Sequence, residues 1–260
     1  MNPKSFWNDI AENYIEFRGD MPLSWWLNGY LTVMQKFSEG TSMEEVKSRN
    51  ILDFGCGDGL FGLLLASRYN FDVSGIDISE EMIRLAKKNN PAGYYSVFDG
   101  QRIEFRSNSF NAVMANWVFP NIDTEQKMFT VLSEIYRVLD DNGTFAFSTF
   151  QDKYIGAETS YKRIGEEGKT YSSGDHIKVK LFSQESDTIT LNCYYWSEDY
   201  FVKILEDVGF QSIEIRKPVY DDITSGKIRE LRQEKINIKD DMLPDEPITT
   251  SVFIVHKKPI

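Results

Sequence analysis

The sequence predicts an α/β fold with a mostly parallel, seven-stranded sheet flanked by helices, on three observations. Short apolar runs alternate with stretches of helical period along most of the 260 residues, the order that builds parallel sheets. The first run, Ile51 to Phe54, feeds a glycine-dense turn, Gly55-Cys56-Gly57-Asp58-Gly59, and then an apolar stretch of helical length from Leu60. The second run, Phe71 to Ile76, ends on Asp77, about twenty residues beyond the glycine turn, where open α/β sheets place an acid to accept ribose hydroxyls.

Glycines suit that turn because a loop leaving a buried strand must let a ligand touch its backbone. The following helix N-terminus adds unpaired N–H groups. A ligand with a nucleotide-like part is therefore expected. The dinucleotide fingerprint G-x-G-x-x-G opens directly after its strand. Gly55 and Gly57 begin such a pattern, but position 60 is Leu. A second register, Gly57, Gly59 and Gly62, satisfies it but starts three residues beyond Phe54. A NAD(P)-dependent reductase is thus an alternative that the placement disfavours. Read instead as Asp53-x-Gly55-x-Gly57-x-Gly59, the stretch resembles motif I of the class I S-adenosylmethionine-dependent methyltransferases. The resemblance implies a Rossmann-like sheet and S-adenosyl-L-methionine as methyl donor. It also implies a glycine loop around the donor's methionine part, with Asp53 helping to hold it.

In chain order, residues 3 to 18 space Phe6, Trp7, Ile10, Ala11, Tyr14 and Phe17 as an amphipathic helix. Small-molecule methyltransferases often begin with a similar segment, which implies a cap over the donor with Tyr14 reaching its carboxylate. A second helix is expected over Ser24 to Phe37, completing an N-terminal cap (1–45), and a polar approach over Glu39 to Arg49. After Asp77, Ser79 caps a helix carrying Glu80 and Glu81 in its first turn and Lys87 and Lys88 in its last, a charge order that complements the helix dipole. Gly93 to Phe98 is the third strand, and the resemblance gives the following Asp99 to the adenine amino group. By itself Asp99-Gly100 is equally a turn. Ile78 and Gly100, beside the two acids, join the implied donor site. The fourth strand, Phe110 to Trp117, resembles the family's "FD.V" strand with Asn111 in place of Asp. Its carboxyl end puts Asn116 (donor) and Trp117 (acceptor) at the crevice where ligands bind in such sheets.

From Asp123 the positions Met128, Val131, Leu132, Ile135, Val138 and Leu139 repeat with helical period, up to the turn Asp140 to Gly143 and a fifth strand, Thr144 to Phe150. Here "Leu132-Ser133-Glu134-Ile135-Tyr136-Arg137-Val138-Leu139" resembles the family's "E..RVL" helix. An insertion over 151–196 follows, with a hairpin of Ile177 to Leu181 and Thr188 to Leu191 that is expected to roof the acceptor pocket. Ser197 caps a further helix, stopped by Gly209. Phe210 to Arg216 and Ser251 to Lys257 complete the sheet, with the polar span Pro218 to Thr250 between them, long for a connection and read as a partly mobile segment or a lid.

Composition sets the remaining expectations. At 41% hydrophobic and 27% charged residues, residues 1–260 read as one domain without membrane-spanning runs. Forty acidic against 29 basic residues give a net charge of −11, which repels nucleic-acid phosphates. Two distant cysteines and an N-terminus without an apolar leader suit the cytoplasm. No His, Cys and carboxylate cluster has metal-ligand spacing.

In-line methyl transfer depends on positioning, so few catalytic groups are needed. His176, at the mouth of the hairpin, is the candidate base for an oxygen acceptor. His256 is expected at the surface or at a sheet edge. Cys56 is read as a small loop residue, without a nearby His to make it a nucleophile. Aromatic residues of the insertion, Tyr195 among them, favour a flat or apolar small-molecule acceptor and offer cation–π contact to a sulfonium. A non-catalytic donor-binding regulatory module is the third reading.

Overall fold

Period-two burial on both faces shows why the central strands form a sheet covered on two sides. In β1 (Asn50–Phe54) and β4 (Phe110–Asn116), Leu52, Phe54, Val113 and Ala115 point into one core. Their neighbours Ile51, Ala112 and Met114 point into the other. Continuous apolar runs of this kind need helices on both faces. In this computed structural model the described residues are 2–19, 33, 36–37, 49–69, 71–182, 188–218 and 248–258.

The remaining strands, numbered in chain order, are β2 (Asp72–Asp77), β3 (Tyr94–Val97), β5 (Leu139–Phe150), β6 (Lys162–Ile164), β7 (His176–Phe182), β8 (Thr188–Tyr194), β9 (Phe210–Arg216) and β10 (Thr250–Lys257). The helices are α1 (Pro3–Gly19), α2 (Leu60–Tyr69), α3 (Glu80–Asn89), α4 (Glu125–Val138) and α5 (Glu198–Val208). Seven strands form one sheet in the order β3-β2-β1-β4-β5-β10-β9. The first five are parallel, and β10 runs antiparallel to both of its neighbours. The order reverses at β1, so the carboxyl ends of β1 and β4 diverge and leave a crevice.

The faces pack differently. On one, α4 and α5 bring Leu132, Ile135 and Phe201 against Phe145, Phe147 and Phe253, and Phe147 and Phe253 stack with centroids 4.8 Å apart. On the other, Phe61, Leu64 and Leu65 of α2, together with Val33 and Phe37, cover Ile51, Ala146 and Ile254. Beyond Val33, Lys36 and Phe37, the expected helix over 24–37 lies outside the described residues, as do 39–48 and 219–247.

Local signals set the helix ends. The side chains of Ser79, Thr124 and Ser197 accept the N–H groups of Met82, Lys127 and Tyr200 at the starts of α3, α4 and α5. Gly209, at φ 113°, closes α5 in the left-handed conformation.

Three expectations change. The predicted turn at 140–143 is an irregularity inside β5, whose pairing with β4 shifts between Phe110 and Ala112. His256 is not at a sheet edge: β10 lies between β5 and β9, and the imidazole is half-buried with Nδ1 3.3 Å from Thr144 Oγ1. The insertion keeps the expected hairpin as the antiparallel pair β7-β8 and extends it with β6 to a three-stranded sheet. Its third strand is three residues long and forms by pairing with β7, a non-local contact that leaves no period in the sequence. Phe17 of α1 and Phe150 of β5 join its apolar face.

Candidate active site

The glycine turn begins where β1 ends. Gly55 and Cys56 donate their N–H groups to the Ile76 carbonyl at 2.7 and 3.0 Å, locking the loop to the end of β2. Gly55 and Gly57 adopt φ of 76° and 53°, conformations that disfavour a side chain. A Cβ on Gly55 would also lie 2.3 Å from Val118, whereas one on Gly57 would meet nothing within 4 Å. The first glycine is thus required by packing and the second opens the backbone to a cavity. Gly59 and Gly62 serve packing instead, against Tyr95 and Val73, so the register that begins at Gly57 does not mark the ligand-facing glycines.

The cavity measures about 690 Å³ and runs across the carboxyl ends of β1, β2, β3 and β4. Its floor includes Gly55, Gly57, Asp77, Ile78, Asp99, Gly100 and Asn116; α1 contributes Trp7 and Tyr14. Trp117, Phe150, Lys162 and the inner face of the inserted sheet complete it. Of the residues expected from sequence, Tyr14, Gly55, Gly57, Asp77, Ile78, Asp99, Gly100, Asn116 and Trp117 therefore line one space.

Four others do not line it. Gly59 packs behind the loop. Asp53 is buried beneath it, and Oδ2 has no hydrogen-bond partner among the described residues. Burial, then the charges of Asp77 and Asp58, push its carboxyl up to about 8. His176 is exposed, because β7 alternates outward and inward: Ile177, Val179 and Leu181 turn to the core, while His176, Lys178 and Lys180 turn away. The expected base at His176 is thereby moved away from the cavity. Tyr195 is buried, but its hydroxyl donates to Asp152 Oδ1 at 2.9 Å.

At Asp77 each carboxylate oxygen takes one backbone donor, Gly57 N–H on Oδ2 and Ser79 N–H on Oδ1, both at 2.9 Å. Burial raises its carboxyl above the ordinary value, opposed by the N–H donors of Ser79, Gly57 and Ile78. Asp99 uses Oδ1 to accept the N–H groups of Gln101 and Arg102 at 2.8 and 2.9 Å, bonds that lower its pKa. Cys56 is buried, and burial next to Asp77 holds its thiol well above the ordinary value, so a reactive thiolate is absent there. Asn116 accepts the Ser148 hydroxyl at 3.0 Å on Oδ1, leaving buried Nδ2 without a partner among the described residues. Trp117 holds φ 60°, an unusual value for a large side chain.

The site includes one group that the sequence reading passed over. Lys162 is buried at 3% exposure and faces the cavity, its Nζ 5.0 Å from the Trp117 ring and 5.6 Å from that of Tyr161. Burial lowers its pKa to about 7. The parity of β6, with Lys162 and Ile164 inward and Arg163 outward, would have found it, had the strand itself been legible.

The pocket fits S-adenosylmethionine on its own chemistry. An open glycine backbone, an acid at the end of β2 and a second acid after β3 face a space within the 300–1,000 Å³ usual for small-molecule sites. Among the described residues, no group of His, Cys, Asp and Glu is arranged to hold a metal ion.

Comparison with known proteins agrees. A family profile described as "Methyltransferase domain" matches residues 52–147. N-demethylindolmycin N-methyltransferase of Streptomyces griseus is 25% identical over 211 residues, 80% of this chain and 87% of that protein. Malonyl-[acyl-carrier protein] O-methyltransferase 1 of Ilyobacter polytropus is 28% identical over 62% of this chain, which spans 60% of that protein's length. The CcbJ methyltransferase structure from Streptomyces caelestis superposes with a TM-score of 0.64 at 13% identity, covering 99% of this chain and all of that one, a likeness of fold alone. With the strand order, the glycine loop and its acids in place, the chain belongs to the class I S-adenosylmethionine-dependent methyltransferases.

Proposed function

We propose that this enzyme transfers the donor's methyl group to a small molecule held between the carboxyl end of β4 and the inserted sheet. The observation that carries this reading is the continuity of the cavity, from the glycine loop to an aromatic and aliphatic wall formed by Trp117, Phe150, Val179, Leu181 and Leu191. S-adenosylmethionine supplies an electrophilic methyl group on a cationic sulfur. In our reading, Gly55 and Gly57 hold the methionine part of the donor by their backbone. Asp77 accepts the ribose hydroxyls with the lone pairs its two N–H bonds leave free, and Asp99 meets the adenine amino group through Oδ2. Ile78 lies against the base, and Tyr14, on α1, closes over the carboxylate end. Asp53, protonated at neutral pH in the donor-free protein, lies beneath the loop, where a cationic ligand favours its ionisation, and Gly59 shapes the turn.

Transfer then rests on orientation, which aligned reactants convert into a large rate gain. Trp117 and Asn116, at the end of β4, position the acceptor. His176 and Tyr195 take no part in contact with the reacting atoms. An acidic chain with an apolar acceptor wall disfavours nucleic acid as substrate. The relatives named above are an N- and an O-methyltransferase, and the reading covers an oxygen, nitrogen or carbon acceptor. Among the described residues, no helix is long and apolar enough to cross a membrane, and two free, buried cysteines support a cytoplasmic setting.

The test is incubation of the enzyme with methyl-labelled S-adenosylmethionine and the small-molecule fraction of a cell extract. Label is expected in a low-mass product. Transfer only to macromolecules, or donor binding with no transfer at all, would overturn the reading, the latter in favour of a regulatory module.

A further inference from the structure

Among the described residues two lysines are buried, and they are treated differently. Lys257, 3% exposed, spends its ammonium on the Leu139 carbonyl at 2.7 Å and Asn108 Oδ1 at 2.6 Å, with Asp141 at 3.6 Å. Lys162 is buried equally, yet among the described residues its Nζ has no carboxylate, carbonyl or hydroxyl partner. Two ring faces, those of Trp117 and Tyr161, are its neighbours. An aromatic face attracts a cation but does not replace the hydrogen bonds lost on burial.

The unpaired amine opens onto the acceptor half of the cavity. A second unsatisfied donor, Asn116 Nδ2, belongs to the residue just before Trp117, whose ring Lys162 covers. The donor half carries the opposite character: Asp53, Asp58, Asp77 and Asp99 surround the glycine loop and the ends of β2 and β3. The site is therefore polarised, with acidic groups where a cationic donor sits and an unpaired amine where the acceptor sits.

We propose that Lys162 is the specificity-determining residue of the acceptor site and pairs with an anionic oxygen of the substrate, so that the acceptor is a small carboxylic acid with an apolar or aromatic body. This inference rests on the methyltransferase reading above. The carboxylate would satisfy Lys162, while the apolar body lies on Val179, Leu181 and Phe150. Arg163, the next residue, cannot substitute, because it points outward and pairs with Glu158.

Acid–amide pairs give the test: 3-phenylpropionate with 3-phenylpropanamide, and indole-3-acetate with indole-3-acetamide. Binding of each is measured by calorimetry on the enzyme saturated with S-adenosylhomocysteine. The acids are expected to bind at least tenfold more tightly than their amides, and Lys162→Met to abolish the difference while leaving S-adenosylhomocysteine affinity within about twofold. A measurement on the unmodified enzyme covers the case in which Lys162→Met does not fold. At pH 8 an amine of pKa about 7 is mostly neutral, and pairing with a carboxylate draws a proton onto it. Acid binding should then take up close to one proton, read from the heats in two buffers of different ionisation enthalpy. Of the titratable groups in the surrounding cluster, burial pushes Cys193 up to about 12 and raises Tyr195 as well, so neither supplies that proton. Equal binding of acids and amides, discrimination that survives Lys162→Met, or acid binding without proton uptake would each overturn the proposal. Failure to bind S-adenosylhomocysteine would instead overturn the donor site on which it rests.

Discussion

Asp77 shows how much one side chain carries. It bridges the glycine loop and the start of α3 through the N–H groups of Gly57 and Ser79, and in our reading it also takes the ribose. Asp77→Asn replaces one accepting oxygen by an NH2 group that faces a backbone donor. Affinity for S-adenosylmethionine, measured by calorimetry, should fall by about 1.5–3 kcal/mol, the range for hydrogen bonds to charged groups. Asp53 gives a pH signature. Its folded-state pKa of about 8, against an ordinary 3.8, means that the folded protein without donor holds one more proton than the unfolded chain between those values. Stability should decline as pH rises through that window, by about 1.4 kcal/mol per pH unit from this group. Urea titrations of Asp53→Asn across that range should show the slope removed. Asn111, which departs from the family's usual Asp, also has a local reason. Its Oδ1 accepts the Asn50 N–H at 3.0 Å and its Nδ2 donates to Asp140 at 3.1 Å, where an Asp would place two carboxylates in contact.

At the scale of elements, the "E..RVL" stretch proves to be a clamp. Glu134 accepts the Ile103 N–H at 2.9 Å and pairs with Arg137, which donates to the carbonyls of Ile103 and Phe105 at 2.8 and 2.9 Å. Two side chains of α4 thereby hold the connection between β3 and β4, whose backbone groups would otherwise lack partners. Arg137→Ala should lower stability to urea by about 2–3 kcal/mol, with a smaller effect on donor affinity, since neither residue lines the cavity. The inserted sheet shows the opposite case. Strand parity decides that Val179 and Leu181 face the cavity while His176 does not, and a strand of three residues delivers Lys162 to its wall.

Across the molecule, α1 closes the donor end by polar contacts with α3 and the end of β4. Asn8 Oδ1 accepts from Ser79 Oγ at 2.7 Å, Arg84 reaches Glu12 at 2.7 Å, and Trp7 Nε1 donates to Asn121 Oδ1 at 3.1 Å. The exposed Arg84–Glu12 pair contributes little, and the two part-buried hydrogen bonds, with Ala11 and Phe17 in the core, hold α1 over the cavity. Amide exchange over residues 6–17 should slow at least tenfold when S-adenosylhomocysteine binds. Unchanged exchange there would mean that α1 does not cover the ligand. Saturation at about a hundred times Kd should add about 2.7 kcal/mol to stability, seen as a rise of several degrees in Tm.

By itself the sequence determined the parallel sheet, the capped helices, the glycine turn and its acids. All of these are written in contacts between residues close in the chain: period, caps at Ser79 and Ser197, and glycines at positive φ. Several residues that line the cavity could be named for the same reason, since Gly57 follows the end of β1 and Asp77 ends β2. The acceptor side was decided by tertiary structure. Lys162 enters the site because β6 pairs with β7 across a loop of more than ten residues, and His176 leaves it because the register with Tyr194 fixes which face turns inward. A side chain's burial and its lack of a partner depend on distant elements that no local pattern records, and those two properties single out Lys162.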